Sequence, residues 1–178
     1  TWPTEIRWFA KSSGTTSTKS KFIPVSREGL RCCHMRGPLD IAGLFARLYP
    51  QSRVFSGKTL TLGGSHRLEN TGGGAEEGDL SAILIEHTPR LARGMRVPGA
   101  ETALIPDFEK KVEAICRETV HRNVTAFAGV PSWNLVMLNK MLEYTGKDNI
   151  SEVWPNMELF THGGMNFTPY REQYRKII

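Results

Sequence analysis

Residues Val124-Thr125-Ala126-Phe127-Ala128 form an apolar-leaning run with no polar alternation, and a helical pattern stands on each side of it. A strand that reads apolar on both faces belongs inside a parallel sheet, where helices cover both sides. Upstream, Asp107 precedes Phe108, Val112, Ile115 and Thr119-Val120, which share one helical face, so Asp107 is the expected N-cap. Downstream, Ser132 is expected to cap a helix that buries Leu135, Leu138, Met141 and Leu142 and ends at Gly146. A strand over residues 157–160 follows, and Thr168-Pro169 opens a last helix with proline at its first position. The order helix, strand, helix, strand, helix calls for a parallel α/β sheet with right-handed crossovers. Ligands of such sheets sit at the carboxyl ends of the strands.

The amino-terminal half is less regular. Ser26 is placed to cap a helix from Arg27, Gly37-Pro38 to interrupt it, and Asp40 to start a second helix through Tyr49. Val54-Phe55 and Leu60-Thr61-Leu62 read as a short β pair around Ser56-Gly57-Lys58. Residues 79–86 fit a helix or an extended strand equally. Glu69-Asn70-Thr71-Gly72-Gly73-Gly74-Ala75-Glu76-Glu77-Gly78 is the segment most expected to be mobile, and it is too short for a domain linker.

The chain has 178 residues, 39% of them apolar, with four Trp, which fits a single globular domain with its own core over residues 1–178. Its net charge is +5 and its pI about 9.3. The basic residues are scattered, with no like-charge run and no aromatic-interleaved basic motif, so a solvated surface with an attraction for anionic nucleotides explains the charge more simply than nucleic acid does. No apolar run approaches the length of a membrane span and no signal peptide is recognisable, so no membrane partner is expected and a reducing cytoplasm is. Cys32 and Cys33 are adjacent and are expected to face a helix interface. With His34, Cys116 and His121 they lack metal-ligand spacing, so no metal site is assigned. The chain opens at Thr1 and closes on Tyr170, Tyr174, Ile177 and Ile178, an apolar helical face with no stop signal. These features lead us to expect a piece of a longer protein.

Ser12-Ser13-Gly14-Thr15-Thr16-Ser17-Thr18-Lys19-Ser20-Lys21 lies between the strand-like runs Ile6-Arg7-Trp8-Phe9-Ala10 and Phe22-Ile23-Pro24-Val25. Small residues between strands let backbone N–H groups converge on anionic oxygens, hydroxyls add donors and a lysine adds charge. By composition alone the same stretch reads equally as a Ser/Thr-rich linker. It is not a Walker A loop. The nearest approach to one, Gly57-Lys58-Thr59, has Ser52 where the leading glycine should stand.

The Ser12–Lys21 stretch resembles the first nucleotide-binding motif of the adenylate-forming superfamily, [ST]-S-G-[ST]-[ST]-G-x-x-x-K, with Ser17 in place of the usual glycine. Phe9-Ala10-Lys11 before it and Phe22-Ile23-Pro24 after it look like one branch, the auxin-responsive-promoter family of acyl-acid amido synthetases in its bacterial form. Val124-Thr125-Ala126-Phe127-Ala128-Gly129-Val130-Pro131-Ser132-Trp133 is similar to the superfamily's strand–Gly-Val-Pro–helix element. Leu159-Phe160-Thr161-His162-Gly163-Gly164-Met165 resembles the strand that ends in a double glycine beside the adenine.

The resemblance implies part of the large N-terminal domain, with a largely parallel sheet and all three motifs at its carboxyl edge. It implies an ATP-dependent ligase that activates a carboxylic acid as acyl-AMP and passes it to an amino acid or another amine. Ser12, Ser13, Gly14, Thr15 and Thr16 would hold the phosphates, with Lys21 as the catalytic cation. Gly163 and Gly164 would border the adenine, while Val130, Pro131 and Trp133 would line the acyl pocket. The Mg²⁺ carboxylate and the C-terminal domain would lie outside these residues, which are expected to be inactive alone. A non-catalytic nucleotide- or acyl-binding module is the alternative. His162-Gly163-Gly164 is also similar to a hydrolase oxyanion-hole motif, but no G-x-S-x-G nucleophile elbow accompanies it.

Overall fold

The computed structural model describes residues 3–11, 21–64 and 68–178. Its strands are β1 (Trp8–Lys11), β2 (Phe22–Val25), β3 (Lys58–Leu62), β4 (Glu69–Gly72), β5 (Ala75–Gly78), β6 (Arg96–Val97), β7 (Val124–Gly129) and β8 (Leu159–His162). Its helices are α1 (Arg27–Gly29), α2 (Arg36–Leu48), α3 (Leu80–Glu86), α4 (Arg90–Arg93), α5 (Ala100–Ala103), α6 (Phe108–Thr119), α7 (Pro131–Thr145), α8 (Ile150–Val153) and α9 (Arg171–Ile177).

The carboxyl-terminal half folds as the apolar run demands. β7 lies inside a fully parallel sheet of order β6-β3-β7-β8. Val124 and Phe127 are completely buried, among Val112 and Ile115 of α6 and Met137 and Leu138 of α7. Each such side chain contributes about 1.5–3 kcal/mol by leaving water. Asp107 caps α6 by accepting from the Lys110 N–H at 2.9 Å, and Gly146 ends α7 in the left-handed conformation at φ 66°. Pro131, not Ser132, opens α7. Its fixed φ suits a first helical position, where no N–H is needed. The β8 strand falls two residues later than the spacing indicates.

The amino-terminal half forms a second sheet of order β2-β1-β5-β4. β1 runs antiparallel to β2, with Lys11 opposite Phe22, and parallel to β5. The three motifs therefore do not share one sheet. Both edges of β1 are occupied, by β2 and β5 of the mixed sheet. Residues 12–20 of the Ser12–Lys21 stretch lie outside the described residues.

Several local expectations are corrected. Gly37-Pro38 does not break the helix, which runs continuously from Arg27 to Leu48 through a π-helical stretch over Leu30–Met35. Pro38 follows directly on that stretch, where the hydrogen-bond ladder changes register. Ser26 does cap the run, its Oγ accepting from the Gly29 N–H at 2.9 Å. Val54–Ser56 is a 3₁₀ turn, and β3 pairs instead with β6 and β7. Residues 69–78 form the β4–β5 hairpin, turned at Gly73 (φ 63°) and Gly74 (φ 81°), a two-glycine turn that suits the strand twist. Residues 80–86 are helical. Cys32 and Cys33 are exposed and not at an interface. No described helix is long and apolar enough to cross a membrane.

The two sheets meet at Lys111. This α6 residue is fully buried, and its Nζ donates to the carbonyls of Gly63 (3.2 Å) and Gly64 (3.3 Å), just beyond β3. The Gly64 N–H donates to Ser81 Oγ of α3 at 2.8 Å. A Cβ on Gly64 would stand 2.1 Å from an Asp79 carboxylate oxygen, and one on Gly63 would stand 2.6 Å from Ser81 Cβ. Only glycine lets this turn dock on the start of α3, which in turn packs Ile83 against Ala10 of β1. Burial lowers the Lys111 pKa, and the Asp79 charge opposes that shift.

Replacing Lys111 by Met removes the donor to both carbonyls and the charge beside Asp79. Loss of one partner in such a buried group costs about 3–5 kcal/mol. Urea unfolding of Lys111→Met should show a drop of that size.

Alkaline pH gives a second expectation. Burial raises the Cys116 thiol from its ordinary 9.0 to about 11. A folded pKa above the unfolded one means that the stability contribution is complete below pH 9.0 and is lost as pH rises to about 11. Buried Tyr174, also pushed up, acts in the same direction at higher pH. Lys111 acts oppositely, because the unfolded chain holds that proton longer. The Cys116 share is on the order of 2–3 kcal/mol. Cys116→Ala should therefore lose less stability than the parent between about pH 8 and about pH 11, measured by urea unfolding at each pH.

Candidate functional site

Strand register lines up one edge. Leu62 of β3 pairs with Gly129 of β7, and Gly129 pairs with His162 of β8. Three neighbouring parallel strands thus end together in the turns Gly63-Gly64, Gly129-Val130-Pro131 and His162-Gly163-Gly164. This is the edge at which open α/β sheets take their ligands.

The glycines of this edge do different work. Gly129 has φ 149°, and a Cβ there would stand 2.6 Å from the Leu62 carbonyl oxygen and 2.7 Å from Asn134 Nδ2. Both conformation and space demand glycine. Gly164 has φ 82°, and a Cβ there would touch Val130 Cγ2 at 3.4 Å, so the second and third turns abut. Gly163 has an ordinary φ, and a Cβ there would meet nothing within 4 Å. Neither dihedral nor packing requires glycine at Gly163, and the space over its exposed backbone is open.

Side chains around the edge are held firmly. Asn134 is fully buried in the first turn of α7, and its Nδ2 donates to the Val130 carbonyl at 3.2 Å. Its Oδ1 has no hydrogen-bond partner among the described residues. The Tyr174 hydroxyl of α9 donates to the Pro131 carbonyl at 2.8 Å. Phe160 stacks on Phe127 and on Tyr174, and the His162 ring stacks on Phe167 with centroids 4.7 Å apart. These aromatic contacts fix the path of β8 into Gly163. Pro131 is buried and Val130 half-buried, while Trp133 is 42% exposed with its ring 6.3 Å from that of Phe108. A tryptophan exposed to this degree is not a core residue.

Val130 and Gly164 are therefore brought together, with Pro131 and Trp133 following Val130 in α7 and Gly163 preceding Gly164. Lys21 is exposed, immediately before β2 in the other sheet, and Ser12, Ser13, Gly14, Thr15 and Thr16 lie outside the described residues. The sequence reading missed the Gly63-Gly64 turn and its partners Lys111, Asp79 and Ser81. The signals were present. Thr61-Leu62-Gly63-Gly64 repeats the pattern of an apolar strand ending in a double glycine, and Lys111 sits in the apolar stripe of α6 at the position after which Val112 and Ile115 follow. Among the described residues no group of three or more His, Cys, Asp or Glu is placed to hold a metal ion.

The profile of the GH3 family N-terminal domain matches residues 1–114 and 77–178, overlapping stretches that together span the chain. No curated protein matches it. Among solved structures, one described as GH3.15 acyl acid amido synthetase shares the fold with a TM-score of 0.61 at 14% sequence identity. The likeness covers 95% of this chain and 38% of that protein, so the chain spans well under half of its solved neighbour's length. With the family profile matched from end to end, the chain belongs to the GH3 family.

Proposed function

We propose that this chain supplies the nucleotide and acyl sites of an acid–amino acid ligase of the bacterial, adenylate-forming type. The observation that carries the reading is the Leu62–Gly129–His162 register, which sets the Gly-Val-Pro turn against a double glycine with open space above it. A flat base can lie on bare backbone at Gly163, and Trp133 beside Val130 and Pro131 offers an apolar wall to an acyl group.

In the proposed reaction a carboxylate oxygen of the acid attacks the α-phosphorus of ATP. The new O–P bond forms as the bond to the bridging oxygen breaks, and pyrophosphate leaves with that electron pair. The amine nitrogen of an amino acid or other amine then attacks the acyl carbon. The acyl C–O bond breaks, AMP leaves as an anion, and the nitrogen gives up its proton. The contribution of the protein is alignment and charge stabilisation. Lys21 and the donors of Ser12, Ser13, Gly14, Thr15 and Thr16 would meet the phosphate oxygens, and Gly163 and Gly164 would orient the base. The residues described provide no Mg²⁺ ligand set. The carboxylate for that ion would come from outside these residues. These residues by themselves are expected to be inactive.

Acid-dependent ATP–pyrophosphate exchange by the full-length protein tests this function. Lys21→Ala should slow exchange on the order of 10²-fold, about 3 kcal/mol, the usual loss for one donor to developing charge. Lys11→Ala should change it little, and Lys19→Ala tests whether Ser17 shifts the loop register by allowing Lys19 to substitute. Rates within about twofold of the parent for both Lys21→Ala and Lys19→Ala would remove the phosphate-cradle reading, because a donor in that role gives a far larger loss. ATP binding without exchange would favour the non-catalytic module.

The glycines give an independent check. Gly163→Ala should unfold within about 0.5 kcal/mol of the parent, as an open surface position does, yet weaken ATP binding. Gly129→Ala should instead fail to fold stably. Equal ATP affinity in Gly163→Ala and the parent would rule out base contact there.

A further inference from the structure

A cavity of about 370 Å³ lies beside the outer edge of the parallel sheet, between the end of α3, β6 and the start of α5. Ile85, Glu86, Arg93, Arg96, Pro98 and Ala100 are among the residues that line it. β6 and β8 are the opposite outer strands of that sheet. At a spacing of about 4.8 Å per strand, roughly 14 Å separates this cavity's strand from the Gly163 turn.

Two guanidinium groups share the cavity. Thr88, itself buried, holds both: its carbonyl accepts from Arg93 Nε at 2.9 Å and its Oγ1 accepts from Arg96 Nη1 at 3.2 Å. Arg93 Nη2 also donates to the Glu86 carbonyl at 3.2 Å. The partners are neutral oxygens throughout. Among the described residues no carboxylate forms an ion pair with either arginine. Glu86, which also lines the cavity, is exposed, and Glu118 accepts from the Gly99 N–H at 2.7 Å. Burial, then the Arg93 charge, lower the Arg96 pKa. Two like charges tied to one residue, Arg96 half-buried and Arg93 exposed, neither ion-paired with a carboxylate among the described residues, favour an anion beside them. Guanidinium forks match the oxygens of phosphate and leave most of their N–H donors free of protein acceptors here.

We propose that Arg93 and Arg96 form a binding site for a phosphate monoester, a second anion site apart from the carboxyl edge of the sheet. The cavity has room for a phosphate and a small organic group, at the low end of ligand pockets. Ile85, Pro98 and Ala100 give that group an apolar wall. The site stands whether or not the sheet edge binds ATP.

The test is titration of the ¹⁵N-labelled protein with inorganic phosphate at fixed ionic strength, read at the amides of Thr88, Arg96, Val97 and Gly99. Saturable shifts are expected, in the parent and equally in Lys21→Ala. Arg93→Gln, whose parent residue is exposed and safe to change, should weaken binding about tenfold or more, as loss of a charge-assisted bond does. Arg96→Gln should do the same if it folds. Methyl phosphate should bind at least as tightly as inorganic phosphate, and acetate more weakly. Shifts that grow linearly without saturation, persist unchanged in Arg93→Gln, disappear in Lys21→Ala, or follow acetate as strongly as phosphate would each overturn the assignment.

Discussion

The buried ammonium of Lys111 is the interaction on which the arrangement of the two sheets depends. It joins three elements that lie far apart in sequence: α6, the turn after β3 and the start of α3. A lone charge in such a place is costly. Two carbonyl oxygens and the nearby Asp79 carboxylate make it tolerable. The glycines at 63 and 64 are the other half of the contact, since a side chain at either position would push α3 away. Because α3 carries Ile83 into the core of the mixed sheet, displacement of the turn would move β1 as well.

That dependence bears on the proposed site. The Ser12–Lys21 stretch leaves β1 in one sheet, while the Gly-Val-Pro and double-glycine turns end strands of the other. A nucleotide that used both would span two sheets, its phosphates governed by that stretch and its base by the parallel edge. The distance between those parts is set by the Gly63-Gly64 turn and Lys111, neither of which has to touch the nucleotide. A change at Lys111 would then alter alignment more than contact, and alignment is where catalysis by positioning is most sensitive.

The parts of the fold legible in the sequence were those with strong local signals. β7 read as a doubly covered strand, Asp107 and Ser26 as caps, and Gly146 as a helix terminator, because each depends on residues within a turn of itself. The GH3 resemblance rested on short motifs whose order along the chain is itself information, and the family profile bears it out. Long-range pairing was not legible. Nothing local in Glu69 to Gly78 says that β5 will lie parallel to β1, or that β3 will leave Val54 and pair with β6 and β7. Lys111 was missed for the same reason. A lysine in an apolar stripe is usually read as a side chain reaching for solvent, and only the tertiary fold brings two carbonyls and an aspartate to it.

A different logic governs the arginine pair at the other edge. Lys111 is a buried cation with its compensation built in, whereas half-buried Arg96 and exposed Arg93 are held only by neutral oxygens. Folding alone would favour a carboxylate between them or an apolar replacement, since buried charges without partners are destabilising. Glu118 shows that an acid within reach of the rim is spent on the Gly99 N–H instead. One chain thus treats two cationic sites in opposite ways. The site that has its counter-charge holds the architecture together. The site that lacks one gains stability when an anion arrives, so its occupancy would be linked to the firmness of β6 and of the α3–α5 face beside it. Through α3 that face reaches the Gly63-Gly64 turn, so tightening it would also tighten the junction that sets the spacing of the two sheets.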